Sequence, residues 1–234
     1  MNLLILALAP VASLLLFMYH RDRYEKESVK LLIAAFAMGG LSVLPILLVE
    51  ALLSEFMNFF YGTFAVFWQS FVVAATTEEF FKLIFLYWLG WKHLDFNEKF
   101  DGIVYAVFVS MGFAAIENVM YVFDYGLETG LVRALTAVPA HFLFGVTMGF
   151  YIGLAKFYPQ FKKRLIGAAL LYPVLLHGIY DFILMSGSPF LLLLFIPFVI
   201  FMWYYGLKKI KRLSEKSFYQ SNFRITEEIL KKVE

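Results

Sequence analysis

The sequence predicts an all-α membrane protein, a polytopic bundle of about seven transmembrane helices. Hydrophobic residues make up 62% of the 234-residue chain and charged residues only 16%, which is typical of membrane proteins. Uncharged blocks long enough to cross about 30 Å of hydrocarbon follow one another along most of the sequence. Isolated strands cannot satisfy their backbone hydrogen bonds in lipid, so each block is expected to be a helix.

The first block is expected to be a permanent span rather than a cleaved signal peptide. No Lys or Arg precedes it, and no small-residue cleavage site follows it. The later blocks are each bounded by polar or charged segments, and the third is apolar except for three charged residues. In order, the predicted spans are 3–19, 29–53, 64–90, 101–123, 131–155, 165–185 and 189–206.

Glycines mark two helix faces that other helices can approach closely. Gly145, Gly149 and Gly153 recur every four residues in span five, and Gly39-Gly40 lies in span two. Small residues at such spacing favour close packing between membrane helices.

The basic residues predict the orientation, because Lys and Arg accumulate in cytoplasmic loops. They cluster after spans one, three, five and seven. The alternate loops 54–63 and 186–189 contain none, and 124–133 contains only Arg133. This alternation places the N-terminus outside and the C-terminus in the cytoplasm. The basic positions are Arg21, Arg23, Lys26, Lys30, Lys92, Lys99, Lys156, Lys162, Lys163, Arg164, Lys208, Lys209, Lys211 and Arg212.

We predict one membrane domain over residues 1–213 and a polar cytoplasmic tail over 214–234. The lipid bilayer is thus a partner, and nothing in the tail indicates binding to nucleic acid. The chain contains no Cys, which excludes disulfides, thiolate metal sites and Cys nucleophiles.

Span three carries three charged residues, Glu78, Glu79 and Lys82. Each charge near the bilayer centre costs about 2.5–3.5 kcal/mol on insertion scales, so a functional site is expected. Glu78 and Lys82 are spaced i,i+4 and share a helix face. We therefore expect Lys82 to pair with Glu78 and to leave Glu79 as the freer acid.

Three further spans carry polar residues at similar depth. Span four contributes Glu117, Asn118 and Tyr121, span five His141, and span six His177 with Asp181 one turn later. At about 1.5 Å of rise per residue these groups can share one layer of the bilayer. A cavity from the outer face would hydrate them.

Two kinds of hydrolytic chemistry fit these residues. A carboxylate and a neutral His can activate water while a second His stabilises the developing oxyanion. Alternatively, His141, His177, Asp181 and Glu79 are candidate ligands for a divalent metal such as zinc. No H-E-x-x-H motif is present, and no Ser or Thr lies in a recognisable triad context.

Taken together, these motifs resemble the PrsW family of bacterial intramembrane proteases, relatives of the CAAX prenyl endopeptidases. The resemblance covers nearly the whole chain. Its motifs are Glu78-Glu79-x-x-Lys82, Asp101-Gly102-Ile103-Val104-Tyr105, Gly112-Phe113-Ala114-x-x-Glu117-Asn118-x-x-Tyr121, Arg133-Ala134-Leu135, His141 with Gly145, Met148-Gly149-Phe150-Tyr151, and His177-Gly178-x-Tyr180-Asp181-Phe182.

The resemblance implies a protease of the bacterial cell membrane that makes the first cut in a single-span anti-sigma factor on its extracytoplasmic side. That cut starts regulated intramembrane proteolysis and releases an envelope-stress sigma factor. By similarity to the prenyl endopeptidases, Glu78 or Glu79 would activate water with His141, and His177 would stabilise the oxyanion. Those relatives have Asn where this chain has Asp181, which instead would orient His177 or bind a metal. Glu117 would supply an additional acid, with Lys82, Asn118 and Tyr121 in support.

Two other functions use the same residues. Buried acids and histidines also form proton relays, so an ion- or proton-coupled transporter or sensor is the main alternative. A structural membrane scaffold is the third, and it predicts that the buried Glu and His are dispensable.

Overall fold

The computed structural model of the protein describes residues 3–215. The predicted tail at 214–234 therefore lies almost wholly outside the described residues. Over the described range the chain is helical and contains no strand, which confirms the all-α prediction. The helices are α1 (Leu3–Arg21), α2 (Val29–Ser54), α3 (Gly62–Phe67), α4 (Thr77–Gly90), α5 (Asp101–Leu135), α6 (Ala137–Phe157), α7 (Lys162–Met185) and α8 (Pro189–Ser214). Short 3₁₀ turns occupy Glu55–Phe59 and Pro159–Phe161.

Six of these helices are long and apolar enough to cross a membrane: α1, α2, α5, α6, α7 and α8. The predicted third span differs from them. Between α3 and α4 the backbone forms a π-helix over Trp68–Thr76, so this stretch is three consecutive helical segments rather than one α-helix. The polytopic helical bundle is confirmed, whereas the orientation of its ends stays a prediction.

The prediction of an outer loop at 124–133 is wrong, because this segment is helical. α5 continues to Leu135 but breaks at Gly126, where φ is 83°, a backbone conformation that glycine adopts at little cost. Arg133 then lies 2.7 Å from Glu117, sixteen residues earlier in the chain. A straight helix would separate them by about 24 Å, so the chain folds back at Gly126.

The centre of the bundle is the pair α5 and α6. In α5 every residue from Asp101 to Ala115 is buried. The glycine face predicted on α6 packs against it, since a Cβ on Gly149 would strike the backbone of Gly102 and one on Gly153 the backbone of Lys99. On the other side of α5, α2 approaches equally closely, and a Cβ on Gly39 would meet the carbonyl oxygen of Val109. The predicted small-residue faces are thus helix contacts.

A group of carboxyl side chains is buried at the end of the bundle that the basic loops place in the cytoplasm. Asp22 is 2% exposed, Glu27 5% and Asp101 0%. Asp22 accepts a hydrogen bond from the backbone N–H of Glu27, and Tyr105 donates its hydroxyl to the Glu27 carboxylate. Burial disfavours the ionised form and raises the pKa of Asp22 and of Glu27 to about 7 each.

Because of these buried carboxyl groups, we expect the free energy of unfolding to decrease as pH rises from about 4 to 7. In that window the folded state keeps protons on Asp22 and Glu27 that the unfolded chain, with ordinary pKa values near 4, has already released. The folded state therefore binds more protons, and each pKa unit of difference corresponds to about 1.4 kcal/mol. Thermal unfolding of the detergent-solubilised protein at pH 5 and pH 8 measures the effect.

The double variant Asp22→Asn, Glu27→Gln is expected to flatten this pH dependence. Glu55→Gln, at an exposed position, is the matched control and should keep the wild-type slope. An unchanged slope in the double variant would contradict the assignment.

Candidate active site

The two acids of the predicted third span lie in the first turn of α4, directly after the π-helix. π-Helices widen a turn by one residue and occur frequently at functional sites. The threonines at the junction bond to carbonyls five residues back, Thr76 Oγ1 to Phe71 at 2.7 Å and Thr77 Oγ1 to Val72 at 3.4 Å. From there Glu78 and Glu79 are directed into the bundle, where they are 5% and 0% exposed.

Lys82 lies between the two acids and binds both of them. Its Nζ donates to Glu78 Oε2 at 3.0 Å and to Glu79 Oε1 at 2.8 Å. The expected pairing with Glu78 is present, but the expectation that Glu79 is the freer acid is wrong. Glu79 is the more enclosed of the two, whereas Glu78 lines a cavity.

His177 on α7 has a carboxylate at each ring nitrogen. Nδ1 lies 3.0 Å from Glu79 Oε1, and Nε2 lies 3.2 Å from Asp181 Oδ2, one turn further along α7. The ring stacks on Phe144 with centroids 4.8 Å apart. Asp181 therefore orients the ring of His177 from the side away from the paired acids.

His141 on α6 also has a charged side chain at each ring nitrogen. Its Nε2 lies 2.9 Å from Glu117 Oε2, and its Nδ1 lies 3.3 Å from Lys82 Nζ. An ammonium group has only donors, so Nδ1 accepts from Lys82 and Nε2–H donates to Glu117. The lone pair of Nδ1 thus faces the same space as the paired acids. The two imidazole rings are 5.2 Å apart.

The folded-back end of α5 holds Glu117 in place. Arg133 donates to Glu117 Oε2 at 2.7 Å and to Asn118 Oδ1 at 2.9 Å, and its guanidinium lies 3.9 Å from the ring centre of Tyr121. Asn118 in turn donates to the carbonyl of Ala7 in α1. Asn118 and Tyr121 therefore contact the arginine that binds Glu117, and the predicted acid Glu117 contacts His141 directly.

A cavity of about 300 Å³ opens onto this cluster. The predicted residues on its walls are Glu78, Glu117, Tyr121, His141, His177 and Asp181. Sequence reasoning missed other polar lining residues, among them Glu50 on α2, Gln69 in the π-helix and Asp124 on α5. Glu50 could have been found from the sequence because it is an acidic residue in the otherwise apolar span two.

The four side chains nearest the centre can hold a metal ion. One donor atom from each of Glu78, Glu79, His141 and His177 lies within 4.8 Å of the others, and two imidazoles with carboxylates suit zinc. Glu79 Oε2 is buried without a hydrogen-bond partner among the described residues, so it can accept a ligand bond. Asp181, predicted as a metal ligand, is not in this group. It contacts the opposite nitrogen of His177, as a carboxylate that orients a metal-binding imidazole does.

A model of the PrsW family of intramembrane metalloproteases matches residues 27–205, a range that contains every residue of this cluster. The chain belongs to that family. It is 38% identical over 217 residues to the protease PrsW of Oceanobacillus iheyensis, covering 93% of this chain and 98% of the relative. It is also 36% identical over 211 residues to the protease PrsW of Halalkalibacterium halodurans, covering 90% and 96% of the two chains. The protease PrsW of Bacillus subtilis is 38% identical over 206 residues, covering 88% and 92%.

Membership of the PrsW family confirms the predictions of a peptidase and of a membrane protein, and it confirms the predicted substrate only as far as a membrane protein. The protein is a peptidase, it is a multi-pass protein of the bacterial membrane, and it acts on membrane proteins within the bilayer. The transporter and the scaffold are therefore not supported. No solved structure matches the chain significantly.

Proposed function

We propose that this PrsW protein makes the first, extracytoplasmic cut in a single-span anti-sigma factor and so starts release of an envelope-stress sigma factor. The substrate follows from the motif resemblance. The chemistry rests on one observation, the convergence of Glu78, Glu79, His141 and His177 at the base of a cavity, with donor atoms within 4.8 Å of one another.

The side of the membrane follows from the predicted orientation. The cavity is lined by Glu50 near the end of α2, Asp124 on α5 and Met185 at the end of α7. In the orientation predicted from the basic loops, the ends of α2 and α7 lie outside. A cavity that opens there gives water and an extracytoplasmic peptide segment access to the paired acids.

Within this proposal, Glu79, His141 and His177 hold a divalent ion, and Glu78 is the acid that meets water and peptide. Catalytic zinc sites commonly have three protein ligands and one open position. A bound ion of this kind would polarise the scissile carbonyl and activate water. Glu78 suits the role of general base because its carboxylate is at the cavity wall, whereas Glu79 is fully buried.

Two more carboxylates orient the imidazoles. Asp181 binds His177 at Nε2 and Glu117 binds His141 at Nε2. Each fixes the ring so that Nδ1 faces the centre of the site, and partners of this kind also raise the basicity of a ligating imidazole. Arg133 restrains Glu117 from its other side.

Cleavage of a purified single-span anti-sigma factor, reconstituted with the protease in liposomes, tests the proposal. We expect one extracytoplasmic cut that is lost in strong chelator and restored by zinc. The matched control is Glu128→Gln, at an exposed position on the folded-back end of α5, which should cleave at the wild-type rate.

The outcomes separate the parts of the proposal. Full cleavage in strong chelator would exclude the metal and leave a glutamate mechanism through Glu78 and the two histidines. Absence of cleavage under every condition, with folded protein, would exclude the anti-sigma substrate.

A further inference from the structure

Lys82 and Glu79 are both fully buried charged side chains of the candidate site. The Lys82 side chain is 0% exposed, and its Nζ lies 3.0 Å from Glu78 Oε2, 2.8 Å from Glu79 Oε1 and 3.3 Å from His141 Nδ1. The ring of Phe113 is 4.0 Å from the same nitrogen. An ammonium has three N–H donors, and these three polar contacts use all of them.

These contacts are made with residues that could also hold a metal ion. Three of the four residues that converge as metal donors are already bound to Lys82. The lone pair of His141 Nδ1 is directed at the ammonium, and a ligating imidazole must turn such a lone pair towards the ion. Zinc lies about 2.0–2.2 Å from its nitrogen and oxygen ligands. An ion bound to these donors would therefore meet the ammonium at short range.

Two cations at that separation repel each other strongly in a buried site. Conversely, without any cation the paired acids would repel each other, since neither is exposed to solvent. A positive charge between them relieves this repulsion, and the contacts of Lys82 supply one.

We propose that Lys82 is an internal counterion that occupies the place of the metal in the metal-free protein and gives up that place when the ion binds. This inference rests on the metal-dependent form of the proposed function. Lys82 keeps the donor atoms of Glu78, Glu79 and His141 together before loading, and it weakens metal binding because the ion must displace it. Lys82 is thus a positioning residue that sets the metal affinity of the site.

Zinc affinity of Lys82→Met, measured by competition with a chelating indicator, tests the inference. Met has a similar length and no charge, so the competition between the Lys82 ammonium and zinc is removed. We expect the variant to bind zinc at least about tenfold more tightly than wild type. We also expect the metal-free variant to melt at a lower temperature, and zinc to raise its melting temperature more than it raises that of wild type.

The control is Lys211→Met, at a lysine whose side chain is 68% exposed, and its zinc affinity should equal that of wild type. To guard against misfolding of the metal-free variant, Lys82→Met is also purified in zinc. The inference predicts that it folds there, because the ion supplies the missing charge. Failure to fold even with zinc would overturn the inference, as would a folded variant with unchanged or weaker zinc affinity.

The same measurement separates this inference from the proposed function. If wild type binds zinc and Lys82→Met binds it no more tightly, only the inference fails. If neither protein binds zinc, the metal-dependent form of the proposed function fails and the inference fails with it.

Discussion

Replacement of Glu78 by Gln is expected to slow substrate cleavage by about 10²–10⁴-fold, the range typical of a lost general acid or base. The variant keeps the size of the side chain but cannot take a proton from water. Because Glu78 lies at the cavity wall and is only one of two acids bound to Lys82, the melting temperature should change little. Initial cleavage rates in liposomes and thermal unfolding in detergent measure the two effects.

The comparison with Glu79→Gln assigns the roles of the two acids. Glu79 is fully buried and binds both Lys82 and His177 through Oε1. Its replacement should remove activity and also lower the melting temperature more than Glu78→Gln does, since it weakens buried contacts with both Lys82 and His177. If Glu79→Gln instead keeps the stability of wild type while Glu78→Gln remains active, the assignment of Glu78 as the reacting acid is wrong.

Replacement of Gly112 by Ala is expected to give a large loss of stability. A Cβ at Gly112 would overlap the carbonyl oxygen of Phe36 in α2. A backbone carbonyl cannot rotate away as a flexible side chain can, so α2 and α5 must separate. Overpacking of this kind costs about 1–3 kcal/mol and occasionally more, and we expect the upper end. Thermal unfolding and the yield of folded protein measure it.

Activity should fall with stability, because the same helix carries Glu117 five residues later. The control is Gly167→Ala in α7, where a Cβ would meet nothing within 4 Å. Alanine is the better helix former by about 1 kcal/mol, so this variant should be as stable as wild type or more so. Equal stability of Gly112→Ala and Gly167→Ala would contradict the close approach of α2 to α5.

The helices of the fold could be predicted from hydropathy because the cost of polar groups in lipid leaves long apolar blocks in the sequence. The convergence of the site was predictable for a similar reason. Charged groups in apolar spans need partners, so Glu78, Glu79, His141 and His177 were expected in one layer. The glycines of α6 predicted its close packing against another helix, because only small side chains allow two helices to approach so closely.

Other features of the structure cannot be predicted from hydropathy. The π-helix depends on the hydrogen-bond register of Trp68–Thr76, which an apolar composition does not encode. The polar residues of 124–133 are typical of a loop, and hydropathy does not show the tertiary contacts of this helical segment, such as Gly130 with Leu6 and Val122. Glu50 near the end of its span looks the same in sequence as an acid that simply anchors a helix at the surface. Its position at the cavity follows from how α2 crosses α5.

The π-helix before α4 has a consequence for insertions and deletions. An α-helix turns about 100° per residue and a π-helix turns less, so a change in the number of residues in Trp68–Thr76 would rotate α3 and the preceding chain relative to α4 unless a change of helix type absorbs it. Either α3 would lose its contacts with α7, or Glu78 and Glu79 would turn away from the imidazoles. The direction of the paired acids therefore depends on the number of residues in this segment as well as on their identity, and a change in length that touches no polar residue is expected to reduce activity.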